Sequence, residues 1–175
     1  PTNVSQDLRA GGSAVNWAIS RLFFVFDSSS LGTDTIDSAT ISFAGTGSSG
    51  PNADSTDVAI TSATLANNND VVVGDFDGAG TTEFVDTRTT FASWDTVDGN
   101  YNDMTLNASG LANNSKTGDS VFAAIAGRDF DDSAPTGDNY VFMRNADDSV
   151  AKAPKLTVTH TAAAASTFVA SMTIM

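Results

Sequence analysis

The segment RLFFVFD, residues 21–27, carries five consecutive apolar side chains between Arg21 and Asp27. In an extended chain these side chains point to both faces, which is typical of a strand packed inside a β-sandwich. After the polar turn SSSLGTD, the segment IDSATISF, residues 36–43, places Ala39, Ile41 and Phe43 on one face and small hydroxyl residues on the other. This alternation predicts a second strand with one face in the core.

Other parts of the chain repeat this pattern of short extended runs between turn signals. Extended segments are predicted at residues 57–65, 71–73, 81–94, 101–106, 120–128, 140–145 and 155–160. Residues 107–118 have room for one helical turn, with Asn107 or Ser109 as its N-cap. The sequence therefore predicts an all-β fold, a single antiparallel β-sandwich of jelly-roll-like form with roughly eight to ten strands and a C-terminal extension.

The composition agrees with this fold class and limits the function. The chain has 175 residues, which is the length of one domain, and a net charge of −13. Twenty of its 21 acidic residues are Asp, and the straight-chain polar residues that cover helices are scarce. Because such a surface repels phosphate groups, we expect no binding to nucleic acid or to an anionic membrane surface. No apolar run approaches the roughly 18 residues of a membrane span, so membrane insertion is not expected.

The two ends of the chain suggest different roles. The first ten residues contain no basic stretch followed by an apolar one, so the sequence as given shows no secretion signal. If Pro1 follows a removed initiator Met, as is common before proline, the chain is expected never to have carried such a signal. The alternative is that the numbering begins after a cleaved peptide. Residues 1–161 are predicted to form the sandwich domain, and residues 162–175 an Ala-rich linker with an apolar terminal strand. Such a strand packs on its own domain or adds to a neighbouring subunit. The residues predicted to mediate assembly are Phe168, Val169, Met172 and Ile174.

An Asp-rich loop, residues 129–138, is the candidate metal site. Its carboxylates, Asp129, Asp131, Asp132 and Asp138, offer the oxygen ligands that Ca²⁺ prefers. The alternative is a solvated turn, in which Asp is favoured because it bonds its own backbone. No other cofactor is expected.

Aromatic side chains are the candidate glycan-binding residues. Sugar rings stack on exposed Trp or Tyr, and the chain has Trp17, Trp94, Tyr101 and Tyr140. Of these, Trp94 lies in the polar stretch ASWDTVDGN and is the preferred platform, with Tyr101 and Tyr140 as further candidates. The alternative is that these large aromatics belong to the core.

Several segments, in this order, resemble the β-sandwich domain named for a DNRLRE motif and grouped with carbohydrate-binding modules. They are RLFFVFDSSSL (21–31), IDSATISF (36–43), YNDMTLNASGL (101–111), DDSAP (131–135) and APKLTVTH (153–160). The resemblance implies a sandwich with a recognition or structural role, as in bacterial surface proteins and phage virion proteins.

The leading hypothesis is therefore a non-enzymatic virion structural protein on the surface of a phage particle, as a head decoration, tail or fibre component. Its expected partners are copies of itself, other virion proteins and cell-surface glycans. The alternatives are a carbohydrate-binding module of an extracellular or cell-surface protein and a polysaccharide-degrading enzyme. The single histidine, His160, is predicted to be a surface strand residue, and the absence of cysteine excludes thiol catalysis.

Overall fold

The computed structural model describes residues 5–13, 16–50, 56–68, 70–147 and 151–163. Within these ranges the chain forms eleven strands: β1 Ser5–Ser13, β2 Asn16–Ile19, β3 Arg21–Asp27, β4 Thr35–Phe43, β5 Gly45–Ser49, β6 Asp57–Ser62, β7 Thr89–Thr90, β8 Asn102–Thr105, β9 Asp119–Ala126, β10 Asn139–Arg144 and β11 Lys155–Thr161. The described ranges also contain two short α-helices, α1 Ala108–Asn113 and α2 Gly127–Phe130, and the 3-10 helices Ser29–Leu31 and Val73–Gly78. The predicted all-β fold class is confirmed.

The strands form three antiparallel sheets whose inner faces share one core. The strand orders are β2-β1-β10-β5, β11-β4-β8 and β3-β9-β6-β7. Strands β4 and β5 are separated only by Ala44, so the chain passes directly from the second sheet into the first. The main-chain N–H of Arg144 donates to the carbonyl of Ala44 and ties the two sheets together at this point. The architecture is sandwich-like, as expected.

Alternation along the strands fills the core as the sequence predicts. Ala39, Ile41 and Phe43 of β4 are buried, and they meet Met104 of β8 and Phe122 of β9 in a single apolar cluster. Because every second side chain of a strand points inward, each of the three sheets supplies a face to this cluster. Burial of these faces is the main term that stabilises the fold.

The predicted helical turn after β8 is also present. The side-chain oxygen of Asn107 accepts a hydrogen bond of 3.1 Å from the N–H of Gly110, which caps α1. Gly110 is packed so closely that a Cβ there would lie 2.9 Å from Phe84 and 3.0 Å from Leu106. The helix therefore closes one edge of the core rather than extending into solvent.

Two predicted extended segments are wrong. Residues 71–72 are outside any strand, and a 3-10 helix, Val73–Gly78, follows them, because the carboxylate of Asp75 accepts the N–H groups of Ala66 and Val72 at 2.7 and 2.9 Å. Residues 81–94 contain only the two-residue strand β7. In the rest of that segment, buried Phe84, Phe91 and Trp94 are held in the core from loop positions.

Candidate functional site

The Asp-rich loop, residues 129–138, is tied to the body of the protein by arginines rather than prepared for a metal ion. Three of its carboxylates each bind a different guanidinium through two hydrogen bonds, with N–O distances between 2.7 and 3.0 Å. The pairs are Arg9 with Asp138, Arg21 with Asp129, and Arg88 with Asp131. Bidentate pairs of this kind are the strongest ion pairs that side chains form.

This arrangement contradicts the calcium site predicted from Asp129, Asp131, Asp132 and Asp138. Three of the four carboxylates are directed to separate cations on separate elements, and Asp132 is exposed at a turn position with a φ of 49°. Among the described residues, no group of three or more His, Cys, Asp or Glu side chains is arranged to hold a metal ion. The loop is a structural clasp.

Arg88 is the electrostatic centre of this clasp. Besides Asp131, it donates to both carboxylate oxygens of Glu83, and its Nη1 lies 3.3 Å from Oδ1 of Asp57. These hydrogen bonds, first to Glu83 and then to Asp131, raise the pKa of Arg88, and Arg88 in turn lowers the pKa of Asp131. The pKa of Asp57 is raised because burial outweighs the attraction of Arg88. One cation thus joins β6, the loop that contains Glu83 and the loop after α2.

Trp94 is a core residue, and the prediction that it is an exposed stacking platform is wrong. Its side chain is 4% exposed, and its Nε1 donates to the carbonyl of Phe142 at 3.3 Å. The indole fits because position 45 is glycine: a Cβ on Gly45 would lie 2.5 Å from Nε1 of Trp94. The polar neighbours of Trp94 in sequence therefore mark a loop that carries an inward-facing aromatic ring.

The other two predicted platform residues are held by contacts of their own. The Tyr101 hydroxyl donates to the carbonyls of Ala151 and Ala153 at 2.7 and 3.2 Å, and Nζ of Lys155 lies 3.8 Å from its ring centroid. Tyr140 is half-buried, with its ring centroid 5.1 Å from that of Phe142. With Trp94 in the core, the three aromatics do not form one stacking surface.

A groove beside Trp17 combines an exposed aromatic ring with charged side chains. Trp17, on the edge strand β2, is 50% exposed. It lines a groove of about 320 Å³ together with Arg128, Asp129, Asp132 and Pro135. An exposed indole next to charged hydrogen-bonding groups is able to stack on a sugar ring and bond its hydroxyls. The polar, Gly-rich sequence around Trp17 was the available signal for this position.

A second, mainly apolar concavity runs along β3. It has a volume of about 630 Å³ and is lined by all residues of β3 from Arg21 to Phe26, with Met143 and Pro154 among the residues on its other sides. An adjoining concavity of about 450 Å³ shares Val25 and Phe26 with the one along β3 and continues to β11. We call these two concavities together the β3–β11 groove.

The groove explains a departure from the sequence prediction for β3. All six residues from Arg21 to Phe26 are half-buried rather than fully enclosed. Strand β3 ends the order β3-β9-β6-β7, and β11 ends the order β11-β4-β8, so both are edge strands. Their apolar side chains Leu22, Phe24, Phe26, Leu156 and Val158 pack against the core only in part.

The remaining predicted residues are His160, near the end of β11, and the four assembly residues that follow it in the sequence. The predicted assembly residues Phe168, Val169, Met172 and Ile174 lie outside the described residues. His160 is on β11, exposed, with its Nδ1 2.7 Å from Oδ2 of Asp34, which confirms its prediction as a surface strand residue. In the described ranges, no helix is both long and apolar enough to cross a membrane.

Comparisons with known proteins do not assign the chain to a family. The resemblance to the DNRLRE-type domain consequently stays a prediction. No family model, no curated protein and no solved structure matches this sequence or fold significantly.

Proposed function

We propose that this protein is a non-enzymatic structural component of a virus particle, a head decoration, tail or fibre protein that assembles through subunit contacts. The observation that carries the proposal is the β3–β11 groove. An extended apolar concavity bordered by two edge strands is a surface that other chains bind, since both apolar contacts and backbone hydrogen bonds remain available there. In the described part of the chain no further strand covers this edge.

The charge distribution supports a repeated assembly. With a net charge of −13, copies of the chain repel each other at a distance, which keeps a dense array soluble. The same charge repels packaged nucleic acid and favours a position on the outside of a particle. When two copies meet, apolar contacts at the groove attract them at short range. This attraction has to exceed the charge repulsion between the copies.

Solution mass is the first test. Static light scattering of the full chain and of a chain that ends at Thr161 compares assembly with and without residues 162–175. We expect a defined oligomer for the full chain and a folded monomer for the shorter one, with circular dichroism as the control for folding. Negative-stain electron microscopy of the full chain should show regular particles or arrays. A monomeric full chain would contradict the assembly role.

Glycan binding is a second candidate function, favoured by the groove beside Trp17. In a particle-surface protein it would serve attachment to cells, and in a bacterial surface protein it would be the main role. We expect Trp17→Ala to weaken binding to a glycan identified on an array by about ten-fold, because the stacking surface is lost. Val97→Ala, a change of another exposed apolar side chain, is the matched control and should leave binding unchanged.

The catalytic alternative has less support. Glycoside hydrolysis needs two carboxyl groups that are free to exchange protons at the scissile bond. In the Asp-rich loop, Asp129, Asp131 and Asp138 are each held in a bidentate ion pair with an arginine. In a structural protein, these carboxylates stabilise the loop and take no part in proton transfer.

A further inference from the structure

We infer that the β3–β11 groove is the receptor for residues 166–175 of a second copy of this chain, which bind there as an added strand. The inference rests on the proposed function, because it names the partner of the same assembly surface. Each copy would donate its own C-terminal segment to one neighbour and accept a segment from another. A head-to-tail contact of this kind builds rings or open arrays.

The groove offers both kinds of contact that an added strand requires. Each of the edge strands β3 and β11 pairs on one side only within the described part of the chain, β3 with β9 and β11 with β4. The opposite side of each therefore has backbone N–H and C=O groups available for a new partner. Half-buried apolar side chains of both strands line the space between them.

The sequence STFVASMTIM, residues 166–175, is complementary to this space. It contains no charged side chain, in a chain with 21 acidic residues. Its alternation places Phe168, Ala170, Met172 and Ile174 on one face, as a strand with one face in an apolar groove requires. Ten extended residues span about 33 Å, more than the roughly 23 Å of the seven-residue strand β3. The segment is long enough to cover the whole groove.

Two observations favour a neighbour over the chain's own C-terminal segment. The N–H of Ala163 donates to Oδ1 of Asp34 at 3.2 Å, and Nδ1 of His160 contacts Oδ2 of the same carboxylate. These contacts keep the chain beside the start of β4 after β11 has ended. The linker AAAA, residues 162–165, lacks the Gly, Asn, Asp or Pro that a tight return to the same domain favours.

Disulfide trapping between full-length chains tests the inference directly. The protein has no cysteine, so each disulfide reports an introduced pair. Val158→Cys places a thiol on the groove side of β11, and Thr159→Cys places one on the exposed side next to it. Each is mixed under mild oxidation with a mass-tagged chain that carries Phe168→Cys, Ala170→Cys or Met172→Cys. Three donor positions allow for the unknown register of the added strand.

We expect Val158→Cys to form the mixed dimer with at least one donor variant in a yield about ten-fold higher than Thr159→Cys, because a disulfide needs Cβ atoms about 4 Å apart. Equal yields from the two acceptor positions would overturn the inference. So would a double variant, Val158→Cys with Ala170→Cys, that forms its disulfide mainly within one chain, since the chain's own segment would then fill the groove.

Light scattering on the same samples separates this inference from the proposed function. A full chain that is oligomeric but gives no groove-specific disulfide overturns the strand-exchange contact and leaves assembly through another surface. A full chain that is monomeric at all concentrations overturns both. An oligomer that dissociates when Met172→Asp and Ile174→Asp are introduced, with an unchanged circular dichroism spectrum, supports both.

Discussion

Strand β3 joins a polar region and an apolar region. In the polar region, other described residues pair the charged groups, whereas in the apolar region the described residues cover the side chains only in part. At its start, Arg21 binds Asp129 with N–O distances of 2.7 and 2.9 Å, and the Asp-rich loop is closed by such pairs. From Leu22 to Phe26 the same strand borders an apolar groove that the described residues leave open. The Asp-rich loop has the composition of a ligand site, but three of its carboxylates are paired with arginines from other parts of the chain. The apolar run of β3 has the pattern of ordinary core, yet in the described part of the chain it lines a groove, and it is the region for which we propose a partner.

The largest predicted difference in stability is between substitutions of two phenylalanines that are opposite each other on the paired strands β3 and β9. Phe122 is fully buried, whereas its register partner Phe24 is half-buried beside the groove. In a chain that ends at Thr161, we expect Phe122→Ala to lower the free energy of unfolding by about 4 kcal/mol and Phe24→Ala by about 2 kcal/mol. Urea denaturation measures both. Equal losses would mean that the groove is already covered in the isolated domain.

On the polar side, Arg88 is the position whose loss should matter most. Arg88→Met removes the guanidinium that pairs with Asp57, Glu83 and Asp131, so we expect a loss of about 3 kcal/mol in unfolding free energy. Lys116→Met, on an exposed site, is the control and should change stability by less than about 0.5 kcal/mol. A result for Arg88→Met as small as the control would show that the clasp does not hold the loop.

The three arginine pairs should also differ among themselves according to burial. The side chain of Asp129 is 8% exposed and that of Asp138 is 45% exposed. We expect Asp129→Asn to cost about 2 kcal/mol, because it leaves Arg21 partly buried with a weakened partner. Asp138→Asn should cost less than about 1 kcal/mol, since water replaces the contact to Arg9. Thermal denaturation of the two variants would refute this order if Asp138→Asn proved the more damaging.

The smallest effect is the pH response of the clasp. The pKa of Asp131 is lowered by its hydrogen bonds to Arg88, so this pair stabilises the fold above the ordinary Asp value of about 4 and the contribution disappears as the pH falls through the lower folded value. The raised pKa of Asp57 acts in the opposite direction, since its ionisation costs stability as the pH rises.

Carboxyl ¹³C NMR titration of Arg88→Met provides the check. We expect the lowered pKa of Asp131 to rise toward its ordinary value when Arg88 is removed. The pKa of Asp57, which burial already raises, should rise further, because the attraction of Arg88 that partly opposes this increase is lost. The pKa of Asp27, which is lowered by hydrogen bonds from Ser29, is the internal control and should not move. A downward shift at either Asp131 or Asp57 would contradict the geometry of the clasp.

Strands with regular alternation could be predicted from the sequence, and loops that enter the core could not. The buried face of β4 and the Asn107 cap of α1 follow from local patterns of side chains two and three residues apart. Phe84, Phe91 and Trp94 lie in a polar segment that resembles a strand, yet the strand there, β7, has only two residues. Their burial depends on distant partners, such as the space that Gly45 leaves for the Trp94 indole.

For the candidate sites as well, composition could be read from the sequence, whereas contacts between distant residues could not. An Asp-rich loop and an apolar C-terminal segment are visible as composition, but which cation meets each Asp is not. Arg9, Arg21 and Arg88 are 129, 108 and 43 residues away from the carboxylates that they bind. The sequence likewise identifies Trp17 as one of two tryptophans without showing which of them is exposed.

By itself, the sequence determined the all-β class, the core faces of the alternating strands and the strongly acidic surface, because these depend on residue type and on spacing along the chain. Only the tertiary structure decided that the Asp-rich loop is closed by arginines, that Trp94 is buried while Trp17 is exposed, and that β3 borders an open groove. Those outcomes depend on which strands stand at sheet edges and which charges meet across the fold, and both are set by contacts between residues far apart in the chain.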